Sequence, residues 1–199
     1  MIAADHTTRP YLSDGMSILE HLLDDQSVRL LSSYAGLLGQ TGRMKVEQTQ
    51  VPDSLVLYGD PMFDTVMASL IPVVSEHVGS PVVPTYSFVR LYTRGQELAP
   101  HRDRRACQHS ITVHLSASSP TRWPIGITDL HQRDHEVDLR PGDGALYQGC
   151  ALKHWRTACP TDWYLQAFLH FVEADGPFAE EIFDGRPNLG EPPAPKGGG

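Results

Sequence analysis

Apolar and polar positions along this chain follow two different periods, and the change falls near Gly79. From Asp14 onward, Met16, Ile18, Leu19, Leu22 and Leu23 fit one face of a first helix. A second helix is predicted over 26–38, with Val28, Leu30, Leu31, Tyr34 and Leu37 inward and Gly39 and Gly42 at its end. Short strands are predicted over 45–48 and 54–58. Gly59-Asp60-Pro61 then opens a third helix, with Pro61 in its first turn. Phe63, Val66, Met67, Leu70, Ile71 and Val74 form its buried stripe, and Gly79 stops it. Beyond Gly79 the pattern becomes short strands separated by turn formers, over 85–93, 110–116, 124–128, 136–139, 144–148, 152–157 and 163–172. Residues 94–100 read as a loop, and residues 1–13 as polar and irregular. The segment from Asp184 to the end reads as a flexible tail rich in Pro and Gly.

Helices first and many short strands second predict an α+β chain: a sandwich or barrel of strands with helices packed on one face. The helical part occupies about 14–79 and the β-core about 82–173. A chain of 199 residues suits a single domain, here expected over 1–183. Composition is that of an ordinary soluble protein, 40% hydrophobic and 20% charged. The net charge of -8 argues against a nucleic-acid partner. No apolar run is long enough to span a bilayer, so no membrane is expected either. Cys107, Cys150 and Cys159 are too few and too irregular for a disulfide framework or a C-x2-C zinc site. A cytoplasmic location is the expectation.

Candidate chemistry sits in His101-Arg102-Asp103 and, well downstream, His154. Two imidazoles and a carboxylate make up the facial triad of non-haem Fe(II) oxygenases. On an extended strand residues i and i+2 point the same way, so H-x-D at a strand end aims both ligands at one point. The third ligand must then come from a strand packed opposite. By the same parity Tyr86, Phe88, Arg90 and Tyr92 share one face of the preceding strand, and Ser110, Thr112 and His114 share one face of the following strand.

Tyr92-x-x-Gly95-x-x-Leu98-x-x-His101-x-Asp103 resembles the segment that opens the double-stranded β-helix of 2-oxoglutarate/Fe(II)-dependent dioxygenases, in their prolyl-hydroxylase-like branch. Pro141-Gly142-Asp143, Gly149-x4-His154-Trp155-Arg156 and Phe168-Leu169-His170-Phe171 resemble the family's later segments, so the likeness covers about 82–173. The resemblance implies a jelly-roll, cupin-like core with supporting N-terminal helices. It implies Fe(II) on His101, Asp103 and His154, with 2-oxoglutarate and O2 at the remaining positions. The implied activity is hydroxylation of an amino acid, a peptide or protein residue, or a small metabolite, with release of succinate and CO2. In related halogenases a small residue replaces the carboxylate, so Asp103 favours hydroxylation.

The far carboxylate of 2-oxoglutarate needs a cation, and Arg suits it because its planar fork pairs bidentately. Prolyl hydroxylases carry this cation around nine residues past the distal His, where this chain has Asp162, Trp163 and Tyr164. Arg156, two residues past His154, is the first candidate; Arg90, His170 and Arg122 are the reserves. Tyr92 matches a family tyrosine that hydrogen-bonds the cosubstrate, and Gln166 and His170 share a face of the last strand. Arg94, Arg102, Arg104 and Arg105 surround the H-x-D and suit either a solvated loop or the mouth of a site for an anionic substrate. His109, His114, His131 and His135 read as structural or solvated. Two alternatives keep the same ligands: a non-oxidative cupin-like metalloenzyme, and a metal- or ligand-binding β-domain without catalysis.

Overall fold

The computed structural model describes residues 10–191. A short helix α1 (Pro10–Asp14) ends at Gly15, whose φ of 81° turns the chain into strand β1 (Met16–Leu19). Helix α2 (Asp25–Gln40) is capped by Asp24, whose carboxylate accepts from the Ser27 amide at 2.7 Å. Strands β2 (Lys45–Val46) and β3 (Leu55–Tyr58) follow. Helix α3 (Pro61–Ser69) is capped by Asp60, and helix α4 (Ile71–Val78) ends on Gly79 at φ 82°.

The β-core comprises β4 (Val82–Thr93), β5 (Leu98–His101), β6 (His109–Ala117), β7 (Ile125–Thr128), β8 (Asp134–Val137), β9 (Gly144–Tyr147), β10 (His154–Arg156) and β11 (Trp163–Glu173). Two antiparallel sheets result. The larger runs β1-β9-β6-β11-β4-β3-β2, and the smaller runs β5-β10-β7-β8. Strand parity divides the larger sheet. Val89, Ile111, Val113, Leu165 and Leu169 face one way and pack with Leu31, Ala35, Phe63, Met67 and Val74 of the helices. The alternate residues, among them Arg90, Ser110, Thr112, Gln166 and His170, are also buried, and they turn toward the smaller sheet. One face is therefore a conventional apolar core, while the interior between the sheets combines apolar clusters with buried polar side chains that can face a ligand.

Five expectations are corrected. The segment predicted as the first helix is β1, paired residue for residue with β9, and only Ile18 of its apolar set is exposed. Sheet pairing decides its conformation, and Gly15 breaks helical continuity. Residues 10–13, expected to be irregular, belong to α1; residues 1–9 lie outside the described residues. In α2 the buried stripe is Val28, Leu31, Ala35 and Leu38, whereas Leu30 and Leu37 face outward. The single helix expected after Pro61 breaks at Leu70, because Pro72 lacks the amide that would continue the ladder. Residues 98–100, expected as part of a loop, join His101 in β5 despite Pro100: β5 is an edge strand, where a missing donor costs little.

Residues 184–191, expected as part of a flexible tail, are instead packed on the domain. Asp184 pairs with Arg104, and Arg186 is buried against Asp64, Gly59 and Thr85. Residues 192–199 lie outside the described residues.

Candidate metal centre

His101 is the last residue of β5 and stands directly across from His154, the first residue of β10. This register sets the two rings side by side, with centroids 4.2 Å apart. Two residues past His101, just beyond the end of β5, Asp103 returns to the same point. Its Oδ1 lies 3.5 Å from His101 Nε2 and 3.5 Å from His154 Nε2. Each imidazole is oriented through its other nitrogen: His101 Nδ1 bonds the Ala99 carbonyl at 2.9 Å, and His154 Nδ1 bonds the Leu152 carbonyl at 3.1 Å. In the metal-free protein the two Nε2 atoms donate toward Asp103; with a metal bound, Nδ1–H would donate to these carbonyls and both Nε2 lone pairs would face the ion.

The carboxylate is held as firmly. The Asp103 amide donates to the Gly149 carbonyl at 2.9 Å, and Ser110 Oγ donates to Oδ2 at 3.3 Å. Burial alone would raise the Asp103 carboxyl, but hydrogen bonds from His101 and His154 hold it well below the usual range. An ionised carboxylate and two imidazole nitrogens thus converge on one point, a donor set that fits Fe(II) and its divalent neighbours.

A cavity of about 400 Å³ opens beside this point. Tyr86, Phe88 and Phe168 give it aromatic walls, while Glu47, Gln50 and Arg90 give it a polar side. Sequence reasoning placed Tyr86 and Phe88 on the correct face without giving them a role. It missed Glu47 and Gln50 altogether, because they arrive from the segment after β2, which is distant in sequence. Gly149 has a role beyond its place in the Gly149-x4-His154 motif. Its lack of a side chain lets the Asp103 loop close, since a Cβ there would lie 2.5 Å from Asp103 Oδ2.

The candidate cosubstrate residues divide into three groups. Arg156 points between the sheets and is 2% exposed. Its guanidinium lies over Trp123 and Tyr164, donates to the Trp123 carbonyl at 2.5 Å and to Gln166 Oε1 at 3.2 Å, and leaves Nε without a partner. No carboxylate pairs with it among the described residues. Gln166 in turn donates to Thr112 Oγ1 at 2.5 Å, and Tyr92 is fully buried against Trp123. Arg90 lines the cavity but is already engaged, with Glu47 at 3.3 Å and Gln50 at 3.0 Å.

His170 lies beside the metal point rather than at a distant carboxylate, bonding Ser110 Oγ at 2.9 Å; burial pushes its pKa down to about 4. Arg122 leaves the set: it is exposed and pairs with Asp138 at 2.6 Å. Of the four arginines near the H-x-D, Arg102 and Arg104 line the cavity, while Arg94 is turned to Asp162.

Similar solved structures share this architecture. A prolyl-4-hydroxylase from Pseudomonas putida superposes with a TM-score of 0.67 at 15% identity, covering 82% of this chain and 95% of that one. The fold is that of the 2-oxoglutarate-dependent Fe(II) oxygenases. The non-haem α-ketoglutarate-dependent epimerase SnoN of nogalamycin biosynthesis gives a TM-score of 0.72 at 18% identity, over 93% of this chain and 90% of its own. HygX from Streptomyces hygroscopicus, solved with nickel, 2-oxoglutarate and hygromycin B, gives 0.65 at 15% identity, over 83% and 86% of the two chains. No family model and no curated protein matches the sequence. Among the described residues no helix is long and apolar enough to cross a membrane.

Proposed function

We propose that this chain is a non-haem Fe(II) and 2-oxoglutarate-dependent oxygenase that hydroxylates a small molecule. The observation that carries the reading is the pairing of a convergent His-Asp-His set with a buried arginine lacking an anion. A buried guanidinium without a carboxylate is expensive. The far carboxylate of 2-oxoglutarate would satisfy Arg156, including its free Nε, with Gln166 and Tyr92 nearby. His101, Asp103 and His154 would hold the metal. When bound, Fe(II) and 2-oxoglutarate supply O2 activation and a two-electron oxidation of substrate, with succinate and CO2 as coproducts.

The chain's own residues do the rest. The Ala99, Leu152 and Gly149 carbonyls fix the three ligands, and Ser110 holds the spare carboxylate oxygen. Tyr86, Phe88 and Phe168 exclude water around the reacting carbon. Glu47, Gln50 and Arg90 offer polar contacts that orient the substrate, and Arg102 at the mouth suits an anionic group, whereas Arg104 is held by Asp184. SnoN is described as an epimerase and a further neighbour as a carbocyclase, so the fold supports more than one outcome of C–H oxidation. Hydroxylation is our reading here, and the cytoplasm is the proposed setting.

The test is succinate release from 2-oxoglutarate by the Fe(II)-loaded protein across a panel of amino acids, peptides and small polyols. The expected result is release stimulated by one compound, with an atom from labelled O2 in its product. Metal binding without succinate under any condition would favour the non-oxidative cupin-like alternative.

A further inference from the structure

Cys107 and Tyr86 lie outside the His101, Asp103 and His154 set and have no part in the function proposed above beyond lining the cavity beside Asp103. Cys107 is 2% exposed, and its sulfur lies 3.1 Å from the Tyr86 hydroxyl. That sulfur, an Asp103 carboxylate oxygen and a His170 nitrogen all lie within 4.8 Å of one another. The Tyr86 ring is clamped against rotation. Tyr58 stacks on it at 4.9 Å and 27°, His170 packs at 4.5 Å, and the Arg104 guanidinium lies 4.6 Å over it. The backbone is pinned too: Thr85 Oγ1 donates to the Ala106 carbonyl at 2.6 Å, joining the residues that adjoin the pair. A thiol and a phenol edge are thus held in contact, next to the point where O2 would be activated.

We propose that Cys107 and Tyr86 become joined by a thioether between Sγ and the ring carbon ortho to the hydroxyl. The link would form once per chain by oxidation at the adjacent metal centre, and it rests on the function proposed above. The step balances. The Cys107 S–H bond and one ring C–H bond break, and a C–S bond forms. The two electrons and two protons go to one oxygen atom of O2, giving water. The other oxygen enters succinate as 2-oxoglutarate loses CO2. One 2-oxoglutarate and one O2 are therefore consumed per link.

The link would anchor the 3-10 turn Arg105–Cys107 to β4 and so fix the segment that follows Asp103. The simpler fate of the contact is a thiol–phenol hydrogen bond with no further chemistry.

The experiment loads the full chain anaerobically with Fe(II) and 2-oxoglutarate, then admits O2 with no substrate added. Expected are a mass lower by two hydrogen atoms and a fall from three to two titratable thiols in the denatured chain. A burst of one succinate per chain and a joined peptide pair containing Tyr86 and Cys107 should accompany them. Cys107→Ser and Tyr86→Phe should each keep full mass. Succinate formation with unchanged mass and three free thiols would overturn the link while leaving the proposed function standing. So would a gain of one oxygen at Tyr86 or Cys107, which would instead mark self-hydroxylation. No succinate and no link would overturn the proposed function, and the link with it.

Discussion

Replacing Gly149 by Ala probes how tightly the carboxylate ligand is built. Gly149 is not among the residues with positive φ, so the substitution carries no backbone strain; only space is at stake. The added methyl would stand 2.4 Å from the Cys107 carbonyl, 2.5 Å from Asp103 Oδ2 and 2.7 Å from Ser110 Oγ. Ordinary contact begins at 3.4 Å, so these neighbours fall short by 1.0, 0.9 and 0.7 Å. One of them is backbone, so the carboxylate and the serine must yield. Overpacking of this kind costs about 1–3 kcal/mol. Displacing a metal ligand or its hydrogen-bond support weakens metal binding by about 10- to 100-fold.

The assay is anaerobic calorimetric titration with Fe(II), paired with thermal unfolding of the metal-free protein. Gly95→Ala is the control: its φ of 84° penalises any side chain, but nothing lies within 4 Å. It should lower stability by about 1–2 kcal/mol and leave the metal constant alone. Wild-type Fe(II) affinity in Gly149→Ala would refute the close support of Asp103.

Three further outcomes are expected. Arg156→Leu should weaken 2-oxoglutarate binding by about 2–5 kcal/mol, which is at least about thirtyfold, with Fe(II) affinity unchanged; equal affinity for 2-oxoglutarate would move that role to Arg90. Arg186→Ala strands the buried Asp64 carboxylate, now bonded at 2.9 Å, and should cost about 3–5 kcal/mol, visible as a large drop in melting temperature. Burial pushes His109 down to about 4, with the Glu173 carboxylate opposing that shift. Below the unfolded value near 6.5 the unfolded chain takes up a proton that the folded chain refuses, so stability falls as pH drops from about 6.5 to 4, by up to about 3 kcal/mol. His109→Gln should reduce that slope in denaturant titrations, while His170, shifted the same way, retains its own share.

Much of the site was legible because strand parity is strict. An H-x-D at the end of a strand needs no tertiary information to converge, and the faces of β4, β6 and β11 follow from alternation alone. Arg156 was readable as inward from its spacing to His154. The sequence was silent where pairing overrides local pattern. Met16, Leu19, Leu22 and Leu23 satisfy a helical period, and only β9 makes the first two part of a strand. Leu30 and Leu37 are as apolar as the residues α2 actually buries, so periodicity could not choose the phase. Pro100 hid β5 because its edge position is a property of the sheet order. Glu47, Gln50 and the Asp184–Arg104 pair depend on contacts between distant segments, and no local signal marks them.

The central claim is tested most directly by anaerobic absorption spectroscopy of the protein titrated with Fe(II) and then 2-oxoglutarate. A weak visible charge-transfer band should appear at one equivalent of each. It should vanish in His101→Ala and in His154→Ala, and persist in His131→Ala, whose imidazole lies on the surface. Its absence from folded wild-type protein, or its survival in the His101→Ala and His154→Ala variants, would contradict the account.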